Sequence, residues 1–241
     1  LKNKDPANET LRNNILDIGT LFSWAENRGY TEYNPFYKLK LPVGRKKPQE
    51  RIPWSDEDII RFLTSDFINR NEFIATAISL YTGMRLDEIC RLKHKNIFDD
   101  LFHIYEGKTE AASRVVPVHP VLKNIIVSND SDEEEYILKG LVSGGYDKKR
   151  SGNFQKRHTR TRIKVNLPKG VVFHSLRNTV ITKLHNNLIP LYNIEQIIGH
   201  KQKSVAFGVY SGGLAVKHLR EIINGISYGN TIDNLVLNYK I

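Results

Sequence analysis

Between Lys40 and Pro53 the chain places Pro42, Pro48 and Pro53 among Lys40, Arg45, Lys46, Lys47 and Arg51. Proline has no backbone N–H and a fixed φ, so neither a helix nor a central strand can run through such a stretch. It reads as an extended basic linker over 41–53 that divides the chain into unequal parts. Ahead of it, residues 1–40 hold one amphipathic helix: Leu11, Ile15, Ile18, Phe22 and Ala25 recur at helical spacing, Gly29 is a stop, and Asn34-Pro35 breaks the chain. Behind it, 54–226 is long enough for a domain with its own core. Leu1 in place of Met leads to the expectation that a natural N-terminal part precedes this sequence.

In the longer part, Ser55 with Asp58 three residues on forms a capping signature ahead of Ile59, Ile60, Phe62 and Leu63. Phe73, Ile74, Ala77, Ile78 and Tyr81 outline a second helix ended by Gly83, and Leu86 to Leu92 a short third. From Ile97 to Val118 the pattern turns β-like, with strands at Leu101–Tyr105 and Arg114–Val118 joined through Gly107-Lys108-Thr109. Helices follow at Val121–Val127, Ser175–Asn186, Leu191–Ile198 and Leu214–Ile223, with a short piece at Val205–Val209. The expected fold class is mixed, mainly α with a small antiparallel sheet. The tail 227–241 carries apolar Ile232, Leu235, Val236, Leu237 and Tyr239 without a core of its own, and is expected to dock elsewhere, such as on a neighbouring subunit.

The net charge is +10, from 36 Lys and Arg against 26 Asp and Glu, and such an excess favours a polyanionic partner through counterion release. It is concentrated in 139–169, where ten Lys or Arg face the single acid Asp147. The acidic run Asp130, Asp132, Glu133, Glu134 and Glu135 reads as a solvated loop. No apolar run approaches the length of a membrane span and no signal-peptide pattern opens the chain, so a cytoplasmic protein is expected. Cys90 is alone and lies in the apolar pattern Leu86, Ile89, Cys90, as a core residue. A metal site is not expected, because the eight histidines lack His-Glu-x-x-His spacing and one cysteine cannot build a thiolate site. Gly107-Lys108-Thr109 is no phosphate loop, since Phe102 stands where that motif needs glycine.

Chemistry-bearing residues recur in a set order. His174-Ser175-Leu176-Arg177 opens a helix, and three-residue spacing puts His174 and Arg177 on one side while Leu176, Val180 and Leu184 face inward. Upstream stands Thr82-Gly83-Met84-Arg85-Leu86-Asp87-Glu88-Ile89; downstream stand Ile198-Gly199-His200 and Tyr210. Singly, each has a plainer explanation: Arg85 pairs with Glu88, His200 caps a helix, Tyr210 fills a core, and His174 and Arg177 lie on a surface. In this order they resemble the tyrosine recombinase (phage integrase) family, with Lys108-Thr109 and Arg114-Val115-Val116-Pro117-Val118-His119 similar to its lysine-bearing hairpin. The catalytic resemblance covers about residues 52–212. Asn34-Pro35-Phe36 resembles, more weakly, the end of that family's core-binding domain.

The resemblance implies the family's catalytic-domain fold for 54–226 and the following chemistry. Arg85 and Arg177 hold the non-bridging oxygens of a phosphodiester by charge-assisted hydrogen bonds. Tyr210 attacks phosphorus and displaces the 5′-hydroxyl, and the 3′-phosphotyrosyl bond conserves the energy for rejoining, with no cofactor. Lys108 protonates the leaving oxygen, His174 assists proton transfer and His200 contacts the phosphate. Asp87 and Glu88 orient Arg85 or cap its helix. The implied partners are double-stranded DNA, further copies of the chain in a homotetramer on paired recombination sites, and DNA-bending accessory proteins; the implied setting is a prophage or genomic island. Arg45, Lys46, Lys47, Lys148, Lys149, Arg150 and Arg157 are expected on DNA phosphates. This sequence departs from the usual pattern in one extra residue between His200 and Tyr210 and in a long loop before His174. A DNA-binding protein of the same fold that does not cleave, and a type IB topoisomerase, are the alternatives.

Overall fold

In the computed structural model, residues 8–40, 51–105, 114–126, 132–146, 148–199 and 215–239 are described, and the chain divides into two units, Leu1–Glu50 and Arg51–Ile241. The helix expected in the first unit is α1, Asn8–Asn27. The chain after it turns back because Asn34 can bond there: Nδ2 donates to Gly19 O at 3.0 Å and to Ser23 Oγ at 2.8 Å, while Oδ1 accepts the Phe36 N–H at 2.8 Å. Pro35 in between has no N–H to leave unpaired, and the Phe36 ring lies 5.2 Å from that of Phe22.

The second unit begins within the stretch read as linker. The Ile52 N–H donates to Gly170 O at 3.2 Å and the Trp54 N–H to Thr179 Oγ1 at 2.8 Å. Helix α2 (Asp56–Leu63) starts at Ser55, whose hydroxyl accepts the Asp58 N–H at 3.2 Å. Helix α3 (Arg70–Thr82) starts at a reciprocal cap between Asn69 and Glu72, is buried from Glu72 onward, and stops at Gly83 with φ 66°. A Cβ on Gly83 would stand 3.2 Å from Ile198 Cγ2 and 3.5 Å from Val180 Cγ1, so glycine lets this turn run close to two neighbouring helices. Helix α4 (Leu86–Arg91) follows.

The sheet is antiparallel in the order β1 (Ile97–Phe98), β2 (Leu101–Ile104), β3 (Arg114–Pro117), with Phe102 opposite Val116 and Ile104 opposite Arg114. A 3₁₀ turn at Pro120–Leu122 leads into α5 (Lys123–Ile126). Then come α6 (Ser151–Lys164), α7 (Phe173–Asn186), α8 (Leu191–Ile198), α9 (Val216–Asn224) and α10 (Gly229–Leu237). Helices α3 and α7 pack along each other at the centre of a core that includes Phe62, Ile74, Ile78, Phe102, Leu176, Val180 and Ile197. Each such side chain contributes roughly 1.5 to 3 kcal/mol by leaving water. Cys90 is buried among them as expected. Among the described residues no helix is long and apolar enough to cross a membrane.

Three sequence expectations need correction. Helix α6 occupies the basic segment 139–169, which carried no helical reading because its inward positions Phe154, His158 and Thr161 include only one apolar side chain. The tail does not need a neighbouring subunit: Ile232 and Val236 of α10 are buried on their own unit, the Tyr81 hydroxyl donates to Asp233 Oδ1 at 2.5 Å, and the Tyr239 ring stacks 3.7 Å from Phe73. The acidic run is not simply solvated, since Glu134 pairs with both Lys93 and Lys95, and Glu133 and Glu135 accept backbone N–H groups of Lys95 and His94. Asp130 and the Val205–Val209 piece lie outside the described residues.

His158 deserves its own test. It is 2% exposed among the rings of Trp54, Phe62, Phe154 and Phe173, and among the described residues its Nε2 has no hydrogen-bond partner. Burial, reinforced by the Arg162 charge, pushes its pKa down to about 3. Below about pH 6.5 the unfolded chain therefore takes up a proton that the folded chain refuses, so stability is complete above that pH and falls as pH drops toward 3. The loss should amount to roughly 2 to 3 kcal/mol by pH 4.5, at about 1.4 kcal/mol per pH unit. Urea unfolding of the parent and of His158→Phe, each at pH 7 and pH 4.5, checks this. The Phe variant should lose markedly less stability on acidification, and equal losses would refute the assignment.

Candidate active site

The site is built where α3 ends and α4, α7 and α8 meet. After the left-handed turn at Gly83, Arg85 precedes the first residue of α4, and Glu88 one turn later closes back on it. The Glu88 carboxylate accepts the Arg85 backbone N–H at 2.8 Å and Arg85 Nη1 at 2.7 Å. Helix α7 starts where the Ser175 hydroxyl accepts the Val172 N–H at 2.9 Å. This start leaves His174 exposed and turns Arg177 inward, where it is 2% exposed.

A buried guanidinium must find acceptors, and Arg177 finds two backbone carbonyls: Nη1 donates to Gly83 O at 2.7 Å and Nη2 to Ile198 O. Arg85 Nη2 donates to Gly199 O at 2.8 Å, and Arg114 Nε to Ile197 O at 3.2 Å. Three arginines from distant segments thus take three consecutive carbonyls at the C-terminus of α8, where unpaired carbonyls and the helix dipole present negative charge. Gly199 ends that helix with φ 67°. A Cβ there would lie 2.6 Å from Arg114 Nη1, so only glycine leaves room for the guanidinium.

Arg85, His174 and Arg177, expected as catalytic, line one cleft together with Ser79, Met84, Lys149, Ser151 and Gln155. Asp87 lies at its edge, accepting the Ser151 hydroxyl at 2.9 Å and pairing with Arg91, so it ties α4 to α6. Burial pushes the Glu88 carboxyl up, but its bonds to Arg114 and Arg85 outweigh burial and hold it below the usual carboxylate range. It is an ionised acceptor between two cations. The cleft presents guanidinium forks, an imidazole and an ammonium group, which suits a phosphate with several oxygens to be held at once. Among the described residues no cluster of three or more His, Cys, Asp or Glu side chains could hold a metal ion.

Lys108, His200 and Tyr210 lie outside the described residues, as do Arg45, Lys46 and Lys47. Of the remaining basic residues expected on DNA, Lys148 and Lys149 are exposed. Arg150 is committed to the fold: Nε donates to Cys90 O at 2.9 Å, Nη2 to Leu138 O at 3.4 Å, and the group lies 3.5 Å over the Tyr136 ring. Arg157 Nε pairs at 2.9 Å with Glu72, which is fully buried, and so neutralises a charge at the start of α3. The sequence does not reveal these protein partners, which come from other segments of the chain. Within the basic segment 139–169, Lys156, Arg160 and Lys164 are exposed one turn apart along α6, an alignment that the sequence reading missed because it did not recognise the helix.

The sequence model of the phage integrase family matches residues 57–212. A tyrosine recombinase of Thermosipho africanus is 28% identical over 210 residues, covering 83% of this chain and 71% of that protein. A probable integrase of prophage ps2 in Lactococcus lactis is 26% identical over 225 residues, covering 76% of this chain and 58% of that protein. Among solved structures, the Tn1549 transposon integrase in complex with a circular intermediate DNA superposes with a TM-score of 0.63 at 19% identity, covering 89% of this chain and 78% of that one. The matched span runs from α2 through the α3–α4 turn, the sheet and the α7 start to just past Tyr210, so every residue expected to be catalytic falls inside it, and by that match the chain belongs to the phage integrase family, the tyrosine-type site-specific DNA recombinases.

Proposed function

We propose that this site-specific recombinase cleaves duplex DNA through Tyr210, holds the broken strand as a 3′-phosphotyrosyl ester and rejoins it to a new partner, serving the integration or excision of a prophage or genomic island. The observation that carries this reading is the convergence of Arg85 and Arg177 on the Gly199 turn with His174 on the same cleft. Two forks and an imidazole at one place can neutralise the charge that gathers on a phosphate under attack. Lys108 is then the acid for the leaving 5′-oxygen, His174 assists proton transfer and His200 contacts the phosphate. The prophage setting draws on the similarity to the ps2 integrase.

Exchange between two duplexes cuts four strands with one tyrosine per chain, so four copies act together on paired sites. Lys148, Lys149, Lys156, Arg160 and Lys164 supply phosphate contacts that position the duplex without reading its sequence, and the basic residues Arg45, Lys46 and Lys47 add to them. DNA-bending proteins would assist where the paired sites must be brought together. A cytoplasmic location accords with such a substrate.

The test is covalent trapping. Nicked duplexes, drawn from a randomised library, release the short leaving strand once it is cut, so the ester cannot reseal. Incubated with the full chain, they should yield a protein–DNA adduct that survives denaturation and carries one enriched sequence. Specific binding without adduct would support the non-cleaving alternative, and relaxation of supercoils without any strand exchange would support a topoisomerase.

A further inference from the structure

Arg114 opens β3 opposite Ile104, and all three nitrogens of its guanidinium donate hydrogen bonds. Nη1 and Nη2 donate to the two carboxylate oxygens of Glu88 at 3.0 and 2.7 Å, while Nε donates to Ile197 O at 3.2 Å. The pair is shielded from water, with side-chain exposures of 12% for Arg114 and 8% for Glu88. Glu88 in turn accepts Arg85 Nη1 at 2.7 Å. The three side chains form a row of alternating charge, cation, anion, cation, running from the sheet to the cleft.

That row has two physical consequences. A shielded carboxylate facing one guanidinium alone would spend its whole attraction on it and draw the fork away from other anions. With Arg114 on its far side the carboxylate is shared, its place is fixed by two bonds of fork geometry, and Arg85 keeps net positive character toward the cleft. The same guanidinium also lies against Gly199, whose Cα could not carry a Cβ without a 2.6 Å clash, and Gly199 O is itself an acceptor of Arg85. Arg114 therefore touches two of the groups that hold Arg85, Glu88 and Gly199.

We infer that Arg114 is a positioning residue for the cleavage step, setting through Glu88 and the Gly199 turn where the Arg85 fork stands on the scissile phosphate. This rests on the recombinase reading above. Arg114 need not touch DNA. Lysine cannot replace it, because a single ammonium cannot span two carboxylate oxygens and a carbonyl at once.

The experiment uses the full chain and a nicked duplex selected by covalent trapping, with cleavage followed at saturating protein and affinity measured separately. Arg114→Gln should bind that duplex within about threefold of the parent, yet cleave it about a hundredfold more slowly, the cost expected of a displaced reacting group. Arg114→Lys should recover only a small part of the rate. In a Glu88→Gln background, where the carboxylate link is already cut and only the contact with the Gly199 turn remains, Arg114→Gln should cost clearly less than the roughly hundredfold it costs alone. Parental cleavage by Arg114→Gln, affinity falling in step with rate, or full additivity with Glu88→Gln would each overturn the inference. If Arg114→Gln does not fold, Arg114→Lys is judged by the same split between rate and affinity. Absence of an adduct with the parent would remove the recombinase reading itself, and this inference with it.

Discussion

Tyr210→Phe is expected to bind its duplex within about twofold of the parent and to form no covalent adduct at all. The substitution retains the ring; only the phenolic oxygen that would bond to phosphorus is lost. On the proposed mechanism that oxygen would lose its proton as it attacks, the bond from phosphorus to the 5′-oxygen would break, and the departing oxygen would gain a proton, so the products would be a tyrosyl phosphodiester and a free 5′-hydroxyl. No water or metal enters the balance. Denaturing gels of parent and variant on the trapped duplex read the result directly, and peptide mapping of the parental adduct should locate the DNA on Tyr210. An adduct of undiminished yield from the Phe variant would assign the nucleophile to another residue.

The two arginines should separate when each is removed. Arg177 is 2% exposed and supplies hydrogen bonds to Gly83 O and Ile198 O, so Arg177→Ala strands two carbonyls inside the unit and leaves a cavity. Its cost to folding should be about 3 kcal/mol, or a melting point lower by roughly 6 to 12 °C for a domain of this size. Arg85 has a side chain 34% exposed, and its main ion-pair partner Glu88 keeps Arg114 when Arg85 is gone. Arg85→Ala should therefore cost only about 1 kcal/mol. Cleavage should fall by at least about a hundredfold in both, since each loses a fork from the phosphate. Thermal melting beside single-turnover cleavage tests the pair. Equal melting points would mean that Arg177 does not carry the α3–α8 junction.

The contrast between these arginines marks what the sequence can and cannot say. The pairing of Arg85 with Glu88 was legible, because three-residue spacing at a helix start brings such side chains together. Helices α2, α3, α7 and α8 were legible from caps, glycine stops and apolar spacing. Helix α6 was not, because His158 and Thr161 fill inward positions that apolar periodicity assigns to Leu or Ile. The seat of the tail was hidden for a different reason: its polar anchor joins Tyr81 to Asp233, 152 positions apart. The ion pair of Arg157 was hidden likewise, its partner Glu72 lying 85 positions away. Least visible of all were the acceptors of the three arginines, since a backbone carbonyl carries no residue identity to read.

The clamp on the end of α8 also bears on how the chain can deliver a reagent. Tyr210 follows Gly199 by eleven positions, a length of chain that reaches at most about 40 Å when extended. If Arg85 and Arg177 receive the phosphate as proposed, their grip on the carbonyls of Ile198 and Gly199 roots the stretch of chain that leads to the proposed nucleophile at the phosphate-binding cleft itself. On that proposal attack becomes an intramolecular encounter, whose effective concentration declines only slowly as residues are added between the anchor and the nucleophile. A segment rooted in this way tolerates variation in its own length far better than loss of its anchor, which gives the extra residue between His200 and Tyr210 a small expected cost.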